Sequence, residues 1–439
     1  MGLRRVFVAN RGEIALRVVR AAQKLGIETV IGVSEADRDS AAAQLADRAV
    51  VLGPGPAAKS YLDAKLVVHA ARETGCDGLH PGYGFLSERS ILPRLCDAQG
   101  IAFVGPEADM IDALGDKLSA RAMARAAGVP LVPGSDQIAS AADAMKAADE
   151  IGYPVLLKAS AGGGGRGMVI AHDCEEVEAG FARASAEAES AFGDGTLFME
   201  RFVPRARHVE VQLMGDGTGK VLHFGERDCS VQRRYQKLIE EAPSAAMPQH
   251  LREQLHRAAV NLAASVQYRG AGTAEFLYDV DREEIYFIEV NARIQVEHPV
   301  SEMVTGADLV GWQLRIAGGE ALALEQADIA VAGHAIECRI NAEDWAAGFV
   351  PRPGTITRWQ PPEGEGIRLD THMHEGASIP PYYDSMVAKL IVTGKDRAES
   401  IARLEAALAE FRVDGIPTTI GLHQRIIAHP DFRSNSIHT

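Results

Sequence analysis

LLKASAGGGGRGMVIA, residues Leu156–Ala171, carries four consecutive glycines, an arginine and a fifth glycine behind an apolar run that ends in lysine. Glycine loses more backbone freedom on ordering than any other residue, so this density marks a place that needs bare backbone. Three phosphate-binding loops share the look. Gly162, Gly164 and Gly167 satisfy GxGxxG, but a dinucleotide fingerprint opens a helix at its last glycine, whereas MVIA continues as a strand and the next helix begins only near Asp173. A Walker loop requires Lys and Ser or Thr after its final glycine, where Met168 and Val169 stand. The protein-kinase pattern GxGxxGxV suits a strand–loop–strand order, yet the chain has neither HRD nor DFG. What remains is a β-hairpin tip able to fold over a polyphosphate, with Lys158 at its root and Arg166 at its tip. A flexible linker would not be framed by two apolar strands.

Outward from this hairpin, YPVLLKAS, TLFMERFV, HVEVQLMG, KVLHFGERD, GTAEFLYD and EIYFIEVNA alternate with period two, which predicts an antiparallel α+β unit. A helix over Lys117–Ala127, stopped by Gly128 with Pro130 beyond, and an alanine-rich helix over Ala141–Ile151 precede it. Before residue 115 the texture differs. RVFVA (Arg5–Ala9), ETVIGVS (Glu28–Ser34), CDGLH and IAFVG (Ile101–Gly105) read as strands between helices over Glu13–Gly26 and Lys65–Thr74. That is a doubly wound α/β pattern, and its first turn, ANRGEIA, lacks GxGxxG. From about Val331, HAIECRI, PGTITRW, MVAKLIVTG and a helix over Arg397–Phe411 make a smaller mixed region. A length of 439 residues suggests about three domains. Those expected are 1–114, 115–330 with a subdomain over about 131–203, and 331–439.

Composition narrows the function. Hydrophobic residues at 46% and charged residues at 24% are ordinary for a soluble globular protein. The net charge of −15 opposes a nucleic-acid or anionic-membrane surface, so phosphate chemistry must rest on local Lys and Arg. MGLRRVFVAN is too short an apolar stretch for a signal peptide, and the absence of a run of about 18 apolar residues argues against a membrane span. A cytoplasmic location is expected. Cys76, Cys96, Cys174, Cys229 and Cys338 lack CxxC spacing and are expected to be reduced, mostly buried, and free of metal or disulfide duty.

The second decisive stretch is GTAEFLYDVDREEIYFIEVNARIQVEHP. If its hairpin folds symmetrically about Arg282, Glu275 lies opposite Glu289 with side chains about 5 Å apart. Opposed carboxylates destabilise unless something positive sits between them. Alternation sets Asn291 on the face of Glu289, and Phe276, Tyr278, Ile288 and Val290 on the other. Glu, Glu and Asn without His or Cys suit a hard ion, Mg²⁺ or Mn²⁺, bound together with nucleotide phosphates; a solvated acidic face is the plainer alternative. Arg293, Gln295 and Glu297 then follow at i, i+2 and i+4. On a strand they would gather a forked cation, an amide and a carboxylate on one side, a set suited to holding and deprotonating a small planar oxyanion. His298, before a proline, reads as structural.

With these residues in view, the chain resembles the biotin carboxylase component of biotin-dependent carboxylases, in the ATP-grasp superfamily. The likeness runs through ANRGEIALRVVRA, HPGYGFLSE (His80–Glu88), KASAGGGGRGM, RHVEVQ (Arg207–Gln212), GERDCSVQRRYQKLIEEAP (Gly225–Pro243), GTAEF, EVNARIQVEHPVSE, ECRINAED (Glu337–Asp344) and PPYYDSMVAKLI (Pro380–Ile391). The resemblance implies an N-terminal pre-ATP-grasp domain, a central ATP-grasp fold with a mobile glycine-rich lid, and a C-terminal mixed α+β domain. It implies that Lys117 and Lys158 contact ATP phosphates beneath a lid formed by Gly163, Gly164, Gly165, Gly167 and Met168. Glu200, Phe202 and Val203 would meet the adenine and ribose, helped by His208, Gln232 and Leu277. Glu275 and Glu289 would hold Mg²⁺ or Mn²⁺, with Asn291 close by. Lys237, Arg293, Gln295 and Val296 would bind bicarbonate, Glu297 would remove its proton, Arg339 would stabilise the biotin enolate, and Tyr83 would lie near the ureido ring.

The reaction so implied joins bicarbonate to the γ-phosphate of ATP as carboxyphosphate, releases CO₂, and carboxylates biotin at N1′. It is the first half-reaction of an acyl-CoA carboxylase of the acetyl- or propionyl-CoA type, as in fatty acid biosynthesis, or of a related carboxylase. The partners implied are a biotin carboxyl carrier and a carboxyltransferase, with a homodimer common in the family and no nucleic acid or membrane involved. Two other classes compete: an ATP-grasp carboxylate–amine ligase, which should lack RIQVEH with an Arg such as Arg339, and a nucleotide sensor, which needs no Glu297. The sequence departs from many relatives at Tyr235, where His is common, which puts a nucleotide-binding role for that side chain in doubt, and at Ala292. Ala144-Met145-Lys146-Ala147 echoes a biotin-attachment site but lacks the second Met and falls in a predicted helix, so the carrier is expected elsewhere. The ending RSNSIHT is slightly short for the family, which fits either a lone subunit or a piece of a longer polypeptide.

Overall fold

Val6, Phe7 and Val8 are fully buried, and they form the centre of a parallel sheet because helices cover both of its faces. The computed structural model, which describes residues 2–160 and 168–439, orders this sheet as Arg48–Gly53, Glu28–Ser34, Arg5–Val8, Gly78–His80 and Ala102–Phe103. The strand order turns back beside Arg5–Val8, and the loop after that strand carries Asn10, Arg11 and Gly12. In such sheets ligands bind outside the strand ends at the reversal. Gly12 has φ +71°, and a Cβ there would sit 3.5 Å from the ring of His372, so the loop packs tightly against the C-terminal region.

YPVLLKAS and TLFMERFV, expected in the same unit as the other period-two segments, form a separate sheet. The segments from HVEVQLMG onward join one antiparallel sheet of eight strands, ordered Glu284–Asn291, Arg269–Asp279, Ala206–Asp216, Val221–Arg233, Gln236–Ala242, His334–Asn341, Met386–Gly394 and Ile367–Thr371. Its last three strands come from beyond residue 331. The sheet therefore runs across the line that sequence texture suggested, through backbone pairing of Gln236–Ala242 with His334–Asn341. Helix Gln249–Ser265 lies on the sheet, burying Leu251, Leu255 and Leu262 on one stripe.

A smaller sheet of Met168–Ala171, Val155–Ala159 and Leu197–Arg201 packs with helices Ala141–Ile151 and Cys174–Phe192 around Leu157, Val169 and Met199. Lys158 pairs with Met168, so the glycine-rich stretch connects two antiparallel neighbours rather than a strand and a helix. Gly163, Gly164, Gly165, Arg166 and Gly167 lie outside the described residues. Lys146 sits in helix Ala141–Ile151, as expected for a residue that is not a biotin attachment point. Four cysteines are buried and Cys174 is exposed, all with free thiols. No helix among the described residues is long and apolar enough to cross a membrane.

The hairpin that carries the two glutamates reaches the expected pairing by another path. Near the turn Asp279 faces Glu284 and Phe276 faces Phe287, which would set Glu275 against Ile288. Ile288 is instead the extra residue of a β-bulge, so Glu275 faces Glu289. Ile288 is therefore half-buried and outside the apolar clusters, unlike Phe276 and Phe287, whose rings meet edge to face at 5.9 Å.

Candidate active site

Four neighbouring strands each place one charged residue in register. Glu289 faces Glu275, Glu275 faces Glu210, and Glu210 faces Arg227. Three carboxylates in a row on one buried face repel one another, so cations must settle them. Lys237 does most of this: its Nζ lies 2.5 Å from Glu210, 3.0 Å from Glu275 and 2.6 Å from Glu297. Arg227, wholly buried, approaches Glu210 at 2.6 Å and spends its remaining donors on Gln212, Ser301 and Thr273. His208 brings Nε2 to 3.0 Å from Glu275, and Gln232 meets its Nδ1 at 3.0 Å. Burial penalises all these charges. It is outweighed at Lys237, whose ammonium three carboxylates push well above its ordinary range, and at Glu275, which Lys237 and His208 hold well below the carboxylate range.

Glu289 differs. Among the described residues it has no ion-pair partner, and burial followed by the nearby Glu275 charge pushes its carboxyl up, with Lys117 opposing. Two donor sets, His208–Glu210–Glu275 and Glu210–Cys229–Glu297, are close enough to hold an ion, but the Lys237 ammonium already bridges the carboxylates of both. The uncompensated pair Glu275–Glu289 is where a hard cation would relieve repulsion, so these residues fit Mg²⁺ or Mn²⁺. Asn291, expected to offer a neutral oxygen, donates its amide to Glu275 at 2.9 Å while its Oδ1 accepts from Arg293 at 3.0 Å.

Arg293, Gln295 and Glu297 do not continue a strand. The strand ends at Asn291, and residues 292–297 turn into helix His298–Thr305, whose start Pro299 fixes. The three gather all the same. Arg293 donates to Gln295 at 2.8 Å and pairs with Glu88 at 2.9 Å, and Gln295 donates to Glu275 at 3.0 Å. The Val296 carbonyl accepts from Lys389 at 2.8 Å. Glu297, the N-cap of the helix, is fully buried between Lys237 at 2.6 Å and Arg339 at 2.9 Å. Burial favours its neutral form, yet Lys237, Arg339 and Arg227 hold the carboxyl well below its ordinary range. His298 is buried, hydrogen-bonded to the Gln295 carbonyl at 2.8 Å, and kept neutral by burial and by Lys389, which suits the structural role expected of it.

A second cluster joins at Glu289. Lys117, the first residue of helix Lys117–Ala126, feels Glu289, Lys158 and Glu200, and burial pushes its ammonium down. Lys158 lies 2.7 Å from Glu200, whose other oxygen Arg121 holds. Val203 and Leu277 pack together with Val132, Ala206 and Tyr286, and the Phe202 backbone ties to Pro154 at 2.9 Å.

The carboxylate row and the residues after Asn291 open onto a cleft of about 740 Å³, whose lining does not include Lys117, Lys158, Glu200, Phe202, Val203, Gln232 or Leu277. Tyr83, His208, Lys237, Glu275, Glu289, Asn291, Arg293, Gln295, Val296 and Arg339 line it, while Glu297 lies beneath. Tyr83 donates its hydroxyl to Glu13, and burial and that carboxylate keep the phenol protonated. The lining also includes residues to which sequence reasoning gave no role: Asn10, Arg11, Phe85, Tyr382, Tyr383 and Asp384. Arg11 is clamped by Asp37 at 2.8 Å and stacks 4.2 Å over the Tyr383 ring. Glu210 and Arg227 were also missed. The alternation His208–Glu210–Gln212 was the available signal, because it sets all three on one sheet face. Tyr235 is 63% exposed at the cleft mouth, in a turn with φ +65°.

The architecture and the cleft together define an ATP-grasp ligase. The chain belongs to the biotin carboxylase family. Family models match along its length: biotin carboxylase N-terminal domain over residues 2–111, the ATP-binding domain of the carbamoyl-phosphate synthase L chain over 116–325, and biotin carboxylase C-terminal domain over 337–439. Biotin carboxylase 1 of Bacillus subtilis is 49% identical over 438 residues, covering 100% of this chain and 97% of its own. A pyruvate carboxylase subunit of Methanothermobacter thermautotrophicus is 47% identical, with 99% and 88% covered. The biotin carboxylase domain dimer of Hydrogenobacter thermophilus 2-oxoglutarate carboxylase, solved with MgADP, ADP and bicarbonate, superposes with a TM-score of 0.95 at 46% identity, covering 100% of this chain and 97% of that one.

Proposed function

We propose that this enzyme carboxylates biotin, carried on a biotin carboxyl carrier, with bicarbonate and ATP, as the first half-reaction of an acyl-CoA carboxylase of the acetyl- or propionyl-CoA type. The observation that carries the first part is Glu297, buried between Lys237 and Arg339 at the floor of the cleft. Glu297 takes the proton of bicarbonate, whose oxygen attacks the γ-phosphorus of ATP; the bond to ADP breaks, and carboxyphosphate forms. Carboxyphosphate then falls to CO₂ and phosphate; biotin N1′ loses its proton to that phosphate, or to Glu297 by relay, and its nitrogen bonds to CO₂.

Each residue has a physical task in this scheme. A carboxylate held by two cations is a weak base, so Glu297 gains basicity only as Lys237 and Arg339 turn toward the bound anion. Arg293 and Gln295 orient bicarbonate through the donors they now spend on Gln295 and Glu275. Lys117 and Lys158 meet the phosphates once Lys158 exchanges Glu200 for them. Glu275 and Glu289 would hold the metal, which supplies charge neutralisation at the phosphates. Arg339 faces the developing enolate and Tyr83 the ureido ring, while Glu200, Phe202, Val203, His208, Gln232 and Leu277 take the nucleoside. The glycine-rich connection between Lys158 and Met168 shields carboxyphosphate and CO₂ from water. A cytoplasmic homodimer working with a carboxyltransferase completes the proposal; the Hydrogenobacter relative was solved as a dimer.

ADP release with free biotin and bicarbonate tests the reaction. Hydrolysis that does not rise when biotin is added defeats it. The acceptor is tested by purifying the biotinylated partner with the enzyme and supplying acetyl-CoA, propionyl-CoA, pyruvate or 2-oxoglutarate. Carboxylation of either keto acid in place of an acyl-CoA overturns that part alone.

A further inference from the structure

Behind Arg339 lie two carboxylates with no counterpart in the scheme above. Glu240 on strand Gln236–Ala242 directly faces Glu337 on strand His334–Asn341, and both are wholly buried. Glu240 accepts from Arg339 Nε at 2.6 Å through one oxygen. Among the described residues, its other oxygen and both oxygens of Glu337 have no hydrogen-bond partner. Buried polar atoms are otherwise almost always partnered, so three orphaned oxygens in one spot require a cause.

Among the described residues, no donor makes a hydrogen bond to Glu337. Lys389, on strand Met386–Gly394, commits its ammonium to the Val296 carbonyl at 2.8 Å and to Glu13 at 3.1 Å. Arg339 donates through Nε to Glu240 and through Nη2 to Glu297, and no hydrogen bond runs from it to Glu337. Val300 and Val304 of helix His298–Thr305 cluster with the adjoining Ala335 and Ile391, and Cys338 turns to the opposite, apolar core. The other charges that face Glu337 are Glu240 and Glu297, both of its own sign. An ionised Glu337 would thus be a desolvated anion beside two more, whereas a proton on it creates a hydroxyl donor opposite the orphaned oxygen of Glu240. Burial, with Glu240 adding to it against Lys389, pushes the Glu337 carboxyl well above its ordinary range.

We infer that Glu240 and Glu337 share a single proton and together form the positioning pair that holds Arg339 toward the cleft. One negative charge then sits behind the guanidinium: enough to anchor Nε, and not enough to draw the group back or to repel an anion in front of it. Loss of the shared proton adds a second buried charge and pulls Arg339 off its substrate. Neither residue touches substrate; both act through Arg339.

The test uses the full chain, labelled with ¹³C at its glutamate carboxyls, and infrared spectroscopy near neutral pH. A protonated-carboxyl band is expected, absent in Glu337→Gln and shifted in Glu240→Gln, whose amide replaces the acceptor. Kinetically, biotin-dependent ADP release should show an alkaline limb that Glu337→Gln moves by more than about one pH unit, because an amide cannot ionise. Glu240→Gln should keep an alkaline limb and lower kcat about ten-fold, through loss of the charged contact to Nε. A wild-type protein without the band, a band unshifted in Glu240→Gln, or identical alkaline limbs in wild type and Glu337→Gln would overturn the pair. If Glu337→Gln does not fold, the labelled wild type and Glu240→Gln decide the question. The kinetic arm rests on the carboxylation activity proposed above and the spectroscopic arm does not, so an inactive protein that keeps the band counts against that activity and leaves the pair standing.

Discussion

Replacing Lys237 by methionine keeps most of the side-chain volume and removes the ammonium that lies 2.5, 3.0 and 2.6 Å from Glu210, Glu275 and Glu297. Removing one partner of a buried ion pair costs about 3–5 kcal/mol, because the other charge stays buried and unpaired. Three carboxylates lose Lys237 at once, yet each keeps one cation: Arg227 for Glu210, His208 for Glu275 and Arg339 for Glu297. The loss should therefore stay near one broken pair, about 3–5 kcal/mol, a large share of the roughly 5–15 kcal/mol that stabilises a folded domain. The pH dependence has a definite sign. Glu275 and Glu297 have folded values below their ordinary 4.5, so their contribution is present above that pH and lost as pH falls through the folded values. Lys237 has a raised folded value, so its contribution is complete below its ordinary 10.5 and is lost only as pH rises through the folded value. Between about pH 5 and 8 the wild-type side is accordingly flat in these groups. In Lys237→Met the folded carboxyl values rise, and one carboxylate takes up a proton as pH falls. The stability gap should be widest near pH 8 and narrow by about 1 kcal/mol per pH unit toward pH 5, once that carboxylate titrates. Guanidinium unfolding followed by circular dichroism across this range measures it. A gap below about 1 kcal/mol near pH 8, or one that does not change with pH, would show that Lys237 is not the cation on which the carboxylate row depends.

Three further outcomes are expected. Glu297→Gln should lower biotin-dependent ADP release by about 10²-fold or more, while ATP still binds; normal turnover refutes its role as base. Glu289→Gln should lose activity that added Mg²⁺ restores only in part, and full activity at ordinary Mg²⁺ would remove the metal from the Glu275–Glu289 pair. Tyr235→Ala should leave the unfolding free energy within about 0.5 kcal/mol of wild type, since the side chain is 63% exposed; a larger loss would mean that the turn needs the ring.

The element types were legible because periodicity is local. Strand Arg5–Val8 and helix Lys117–Ala126 fall where apolar spacing and the Gly128 stop signal set them. The Glu275–Glu289 pairing was legible only because a two-residue bookkeeping of the hairpin happened to agree with the ladder above the Ile288 bulge; nothing in EIYFIEVN announces a bulge. Residues 293–297 were misplaced on a strand for the converse reason. Their alternation was genuine, but helix His298–Thr305 starts at once and takes the backbone away. The joining of strands Gln236–Ala242 and His334–Asn341 is a contact nearly a hundred positions apart, which no local pattern encodes. Glu210, Arg227, Glu240 and Glu337 were hidden because a charged residue in a strand ordinarily faces water. The sheet face they occupy is buried by helix His298–Thr305 and by one another, a fact of tertiary packing.

The pairing of the site cations has a consequence for how the enzyme selects its substrate. Lys237, Arg339, Lys158 and Arg293, four of the five cations assigned to anions, each lie within 3.0 Å of a carboxylate of the chain itself, while Lys117 has no such partner among the described residues. In a protein of net charge −15, an incoming bicarbonate therefore meets no bare positive wall. It must replace a carboxylate that already holds the cation, and it succeeds only where the exchange leaves that carboxylate less costly than before. In the proposed mechanism the exchange at Glu297 would do chemical work, because the cations it gives up are what made it a weak base. Binding and activation of the base are then one event. A chloride or nitrate ion that drew Lys237 and Arg339 without presenting a proton would leave Glu297 buried and uncompensated, at a cost of several kcal/mol. Discrimination against simple anions thus comes from the buried carboxylate beneath the cleft as much as from the donors that line it.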